Sequence, residues 1–286
     1  MKKSFRLQLN PVTAKDLKVT FRGHLLPVLF LVVNACLFTV GILGTLGRMT
    51  GMEMAGRMDW RTFLYVYAMI VMVEFVIILI TSPSQTAGSI ALETESGTYD
   101  LMLSSGLTPI RVLFGKLLYA CHNTVLIVFS TLPALLVPLV YGGLTLQSVL
   151  VTLLFMLPAA LFGMTIGLFA SSVSRSAAGA FTLSYAILIA FVIVPVLIPF
   201  LLRPVVTDGN NIAVYLLAID PLTPIVTLLA GELGETGLIA DAIKYLGLTN
   251  ADMFINRLPL ISMGMTLLIS VMFFVLSDVA LLSREK

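Results

Sequence analysis

Six apolar runs dominate the chain, at about 25–47, 62–82, 110–140, 146–172, 178–202 and 259–282. Each is near or above the roughly 20 residues that take a helix across about 30 Å of hydrocarbon. A bilayer holds no water to satisfy backbone N–H and C=O groups, so runs of this length predict an all-α integral membrane protein with six transmembrane helices. Composition removes the alternative of a large soluble core. Of 286 residues, 58% are apolar and 11% charged, against roughly 25% charged in a soluble domain. The first run follows about 24 polar-rich residues and has the length of a full span. It is expected to stay as an anchor and not to be cleaved as a signal peptide.

Six spans place both termini on one face. Lys2, Lys3, Arg6, Lys15, Lys18, Arg22, Arg111, Lys116, Arg175, Arg284 and Lys286 fall on that face, and Arg48, Arg57, Arg61, Arg203, Lys244 and Arg257 on the other. By the positive-inside rule, eleven against six predicts cytoplasmic N- and C-termini in the cell inner membrane. The net charge of +2 is too small for a nucleic-acid binder. Residues 212–230 have the length of a span but carry Asp220-Pro221 and Pro224 at their centre. They predict two short helices at the outer interface, or dipping in and returning, within an external region over 203–258. Asn10, Pro11 and Gly23 bound an expected interfacial elbow helix over 10–23.

Between the second and third runs, residues 81–116 read TSPSQTAGSIALETESGTYDLMLSSGLTPIRVLFGK. Ser82-Pro83 is a helix-start signal, Gly97 and Ser104-Ser105-Gly106 are interruptions, and Thr108-Pro109 opens the third span. A short helical excursion at about 84–105 follows. Ile90, Thr94, Thr98 and Leu101 recur at helical spacing and form a partly apolar face, with Glu93, Glu95 and Asp100 around it. Two readings fit these residues. Either the helix seats its apolar face in a groove of a soluble motor and its acids select a basic rim, or it is an ordinary loop whose acids stay hydrated.

Glu93-Thr94-Glu95-Ser96-Gly97-Thr98, followed by Leu101 and Leu103, Thr108-Pro109 and Gly115-Lys116, resembles the E-x-E-x-G-T…L-L…P…G-K signature of type 2 ABC-transporter permeases. Asn10-Pro11 with its basic arm resembles the opening of such chains, and Asp220 to Pro224 resembles the N-P segment before their last span. By span order the resemblance covers essentially the whole chain. It departs at Asp220, where Asn is commoner, and at Ser96, where a basic residue often stands. The resemblance implies a single transmembrane domain over 1–286 that pairs with a second copy or a homologous permease. It also implies a coupling helix at 84–105 that docks on a cytoplasmic ABC ATPase subunit, present in two copies, through Glu93, Glu95, Gly97, Thr98, Asp100 and Leu101. ATP and Mg would then sit on that partner, with no cofactor on this chain. In keeping with this, G-x-x-x-x-G-K-[ST] does not occur, since Gly115-Lys116 is followed by Leu117.

Glu74 lies near the middle of the second run, where an ionised carboxylate costs about 2.5 kcal/mol or more. Tyr67, Glu74 and Thr81 are spaced by seven and share one helical face, which belongs against protein or water. Glu74 is therefore either a pathway or dimer-interface group, or a neutral acid hydrogen-bonded to a neighbour such as Asn34, His122 or Asn123. On the fourth run Ala159, Gly163, Gly167 and Ser171 recur every four residues, a ladder that favours close helix packing over substrate contact. Pro133 and Pro138 in the third run, with Pro195 and Pro199 in the fifth, predict kinks or breaks. Cys36 and Cys121 lie in apolar runs without metal-ligand spacing and are read as packing residues. His24 and His122 have no acid and nucleophile beside them, so neither is assigned to catalysis.

Three functions are weighed against these residues. The first is the permease of an ATP-driven exporter, moving cargo along the interface between two such domains. An intramembrane enzyme would need a catalytic constellation, and no D-x-x-D or H-E-x-x-H pattern occurs in any run. An ATP-independent secondary transporter or channel would use Glu74 as its ion-coupling group.

Overall fold

A computed structural model describes residues 12–13, 15–16, 25–55, 61–104, 106–141, 144–204, 212–246 and 251–284. Among them, six helices are long and apolar enough to cross a membrane. These are Leu25–Ala55, Arg61–Ala87, Pro109–Tyr141, Leu146–Val173, Ala177–Leu202 and Ala251–Arg284, called spans 1 to 6 below. No strand occurs among the described residues. Spans 1 and 6 run well past their apolar stretches, because a helix leaving hydrocarbon keeps its backbone bonded without needing apolar side chains. Of the elbow expected over 10–23, Val12, Thr13, Lys15 and Asp16 are helical, and the rest lies outside the described residues.

Span 4 is the hub. Its most apolar stretch is 67% buried within the chain, against 17% for spans 1 and 5, and it packs chiefly on spans 2 and 6. Small residues permit this closeness. A Cβ on Gly163 would lie 2.9 Å from Ser82 Cβ, and one on Gly167 would lie 2.7 Å from the Pro83 carbonyl oxygen. Phe162 and Phe169 of span 4 meet Phe191 of span 5 and Phe273 of span 6, with ring centroids 5.2 Å apart for Phe162–Phe191 and 5.4 Å for Phe169–Phe273. Those edge-on and tilted contacts tie three helices together.

Ser82-Pro83 does not start a helix. Span 2 continues through Pro83 to Ala87: within the helix the Ser82 hydroxyl donates to Ile78 O at 2.6 Å, and across to span 4 the Thr86 hydroxyl donates to the Met164 carbonyl at 2.8 Å. A proline removes a backbone donor, and neighbouring helices and hydroxyls compensate for it in membranes. Of the kinks or breaks expected at Pro133, Pro138, Pro195 and Pro199, no break occurs, and spans 3 and 5 are continuous as helices across them.

At the end remote from the arm, Ile212–Ala218 is a 3-10 helix, followed by helices Thr223–Leu233 and Thr236–Tyr245. Residues 212–230 thus form two short elements around Asp220. The Asp220 carboxylate accepts from the Leu222 N–H at 3.0 Å and from the Thr223 hydroxyl at 3.3 Å, while Ser262 of span 6 donates to the Asp220 carbonyl at 3.1 Å. Burial pushes this carboxyl up to about 6, against the opposing pull of the Leu222 and Thr223 donors. Span 6 begins at Ala251, so the 203–258 region expected to be external gives up its end to that helix.

Candidate functional site

The link between spans 2 and 3 is not one helix over 84–105. Residues 84–87 finish span 2, and the remainder forms two short helices, Ala91–Glu95 and Thr98–Ser104. Gly97 separates them in the left-handed region at φ +68°, a conformation that other L-residues rarely adopt. This change of direction dissolves the face expected from Ile90, Thr94, Thr98 and Leu101. Ile90 is wholly buried, whereas Leu101 is 70% exposed. Ile90 and Tyr99 instead pack on Val112 and Leu113 of span 3, Leu168 of span 4 and Leu281 of span 6.

Two anchors hold the first short helix. Its N-terminal donors are satisfied by span 4, where Ser171 Oγ accepts from the Ile90 N–H at 3.0 Å and the Ala91 N–H at 2.9 Å. Such groups would otherwise be orphaned at a helix start. The second anchor is ionic: Glu93 Oε1 lies 2.8 Å from Lys116 Nζ of span 3, and the same ammonium lies 2.9 Å from Asp16 Oδ2 of the arm. Side-chain exposures of 7% for Lys116, 12% for Glu93 and 17% for Asp16 place this triad out of bulk water, where charge pairing is stronger than at a surface. Lys15 lies 3.8 Å from Glu93 on the outer edge, and the Thr13 hydroxyl donates to the Gly115 carbonyl at 3.0 Å. The Gly115-Lys116 pair therefore receives the arm through a carbonyl and the short helix through an ammonium. Beside the triad lies a cavity of about 320 Å³, lined by Gln85, Ser89, Glu93, Lys116, Tyr119 and Phe181 among others.

The six residues expected to dock an ATPase thus divide. Glu93 turns inward to Lys116, while Glu95, Gly97, Thr98 and Leu101 are exposed. Thr98 also donates to the Glu93 carbonyl at 3.2 Å, bracing the turn. Asp100 is helical, and its side chain lies outside the described residues. Leu92, 55% exposed, joins the outward surface. Sequence reasoning missed the pairing of Glu93 with Lys116 because 23 residues separate them. The only available signal was that both belong to one signature.

Within the bundle, Tyr67 donates to Thr152 Oγ1 at 2.7 Å, and Thr131 donates to Glu74 Oε1 at 2.6 Å. Tyr67 and Glu74 are buried, and Thr81 turns its hydroxyl back to the Ile77 carbonyl at 2.8 Å. The partner of Glu74 is thus Thr131, not Asn34, His122 or Asn123. Asn34 donates instead to Phe30 O and Ser130 Oγ. Glu74 is wholly enclosed by its own chain, in keeping with an acid that faces the bundle interior and not lipid. On span 4, Ala159, Gly163 and Gly167 are buried, and Ser171 is the acceptor described above.

Residues 59–277 match the family model described as ABC-2 family transporter protein. The match begins after the arm and span 1. No curated protein matches the chain.

Proposed function

The chain belongs to the ABC-2 family of transporter proteins and is the multi-pass membrane permease of an ABC transporter, and from that premise we propose that it exports cargo as a dimer driven by a separate cytoplasmic ATPase. The arm and the two short helices face the cytoplasm, an orientation supported by the lysine and arginine count. Two ATPase copies bind ATP and Mg and push on the permease pair, whose partner is a second copy or a homologous permease.

The observation that carries this reading is a small exposed platform, Leu92, Glu95, Gly97, Thr98 and Leu101, mounted on helices that are clamped to the bundle. A mobile tail would dissipate a push, whereas a clamped helix delivers it. The ATP-independent alternative rests on Glu74, which the bundle encloses. The test is co-purification. Glu95→Lys with Leu101→Glu leaves membrane insertion intact and weakens ATPase association about ten-fold, a loss of about 1.4 kcal/mol. Unchanged association would remove the platform from the docking surface.

A further inference from the structure

The short helix Ala91–Glu95 is fastened to the bundle in two chemically different ways. At its start, one neutral hydroxyl on span 4 receives two backbone donors at 3.0 and 2.9 Å. That contact fixes position but tolerates rotation, since both bonds converge on a single oxygen. At its middle residue, the Glu93 carboxylate meets the Lys116 ammonium at 2.8 Å, and Lys116 is itself held by Asp16 at 2.9 Å. Here charge resists separation. Pulling Glu93 away would leave a shielded ammonium and carboxylate only partly paired, which is strongly unfavourable. The helix has a pivot on span 4 and a strut to span 3 and the arm.

Resting on the ATPase-coupling reading above, we propose that Lys116 is the positioning residue through which movement of Ala91–Glu95 is delivered to span 3 and the N-terminal arm, with Ser171 of span 4 as the pivot. Three observations converge on this role. Lys116 contacts two separate elements at once, so both must follow it. It stands in the first turns of a 33-residue helix, where a displacement is carried along the whole span. A cavity of about 320 Å³ lies against Glu93 and Lys116, leaving open space beside the strut. Ile90 and Tyr99 also enter an apolar cluster spread over spans 3, 4 and 6, a contact shared among three helices.

The test uses the permease assembled with its ATPase in lipid nanodiscs and reads backbone hydrogen exchange with and without ATP plus vanadate. In the unaltered complex, ATP changes exchange in both the short helices and the first turns of span 3. In Lys116→Met the short helices still respond, whereas the response of span 3 falls about five-fold or more, the low end of common coupling factors. Lys116→Arg, which can bridge both carboxylates, restores it. Should the methionine variant fail to assemble, Glu93→Gln carries the same test, since it folds around a neutral acceptor and weakens only the charge. A span 3 response in Lys116→Met equal to that of the unaltered protein overturns the strut, as does an arginine variant that stays uncoupled. If ATP alters exchange in neither region of the unaltered complex, the ATPase-coupling reading falls, and the strut with it.

Discussion

Gly167→Ala is a single-methyl probe of the contact between spans 2 and 4. The new Cβ would lie closest to Thr86 Oγ1, 2.7 Å from the Pro83 carbonyl oxygen and 3.1 Å from the Ala87 nitrogen. The threonine could rotate away, but only by giving up its bond to the Met164 carbonyl, worth about 1 kcal/mol. The two backbone atoms cannot rotate, so the helices must separate or shift, an overpacking cost of about 1–3 kcal/mol. Alanine in a helix returns about 0.8–1 kcal/mol relative to glycine. The net expectation is a destabilisation of about 1–3 kcal/mol. Gly264→Ala in span 6 is the control: nothing lies within 4 Å of its Cβ, so only the gain of up to about 1 kcal/mol remains. Reversible unfolding from bicelles by titration with denaturing detergent measures both. The folded-to-unfolded ratio of Gly167→Ala should fall at least about ten-fold below that of Gly264→Ala, since 1.4 kcal/mol is one decade. Equal stability of the two variants would refute the argument that span 4 and the Pro83 turn meet backbone to backbone.

Two further outcomes follow from buried acids. Asp220 titrates at about 6 in the fold, against an ordinary value of 3.8, because it is buried. Its contribution is fully present below about pH 4 and is lost as pH rises through about 6, a change on the order of 2–3 kcal/mol. The stability of Asp220→Asn relative to the unaltered chain should therefore rise across that interval in thermal unfolding, and a difference constant with pH contradicts it. For Glu74, whose acceptor meets Thr131 at 2.6 Å, Glu74→Gln keeps the acceptor and should leave ATP hydrolysis by the assembled complex unchanged across pH. A pH-dependent loss would return Glu74 to a proton-linked role.

Spans were legible because length and apolarity decide them, and both are properties of the sequence alone. The short elements around Asp220 were legible for a related reason: Asp220-Pro221 and Pro224 crowd an acid and two missing backbone donors into five residues, which together break a single helix. The course of the chain at Pro83 was not. Ser82-Pro83 is locally a helix start, and only Gly163 and Gly167, arriving from a helix some 80 positions on in sequence, keep the turn helical. Similarly, the spacing of Ile90 to Leu101 is helical on paper, yet Gly97 at φ +68° rotates the second half away. Periodicity assumes one unbroken axis, and a single residue with positive φ cancels the assumption.

The candidate site shows the same limit in its electrostatics. Glu93 and Glu95 are two residues apart on one short helix, and successive positions at that spacing point to different sides. One side faces span 3 and meets an ammonium at 2.8 Å, and the other is open to the surroundings. The two acids therefore do different work: Glu93 attaches the helix to its own bundle, and Glu95 remains available to a partner. Reversing the charge of both at once would break the internal attachment and the external surface together, and loss of ATPase binding could then come from either. Substituting Glu95 and Leu101 together, while leaving Glu93 in place, separates the proposed docking surface from the proposed strut.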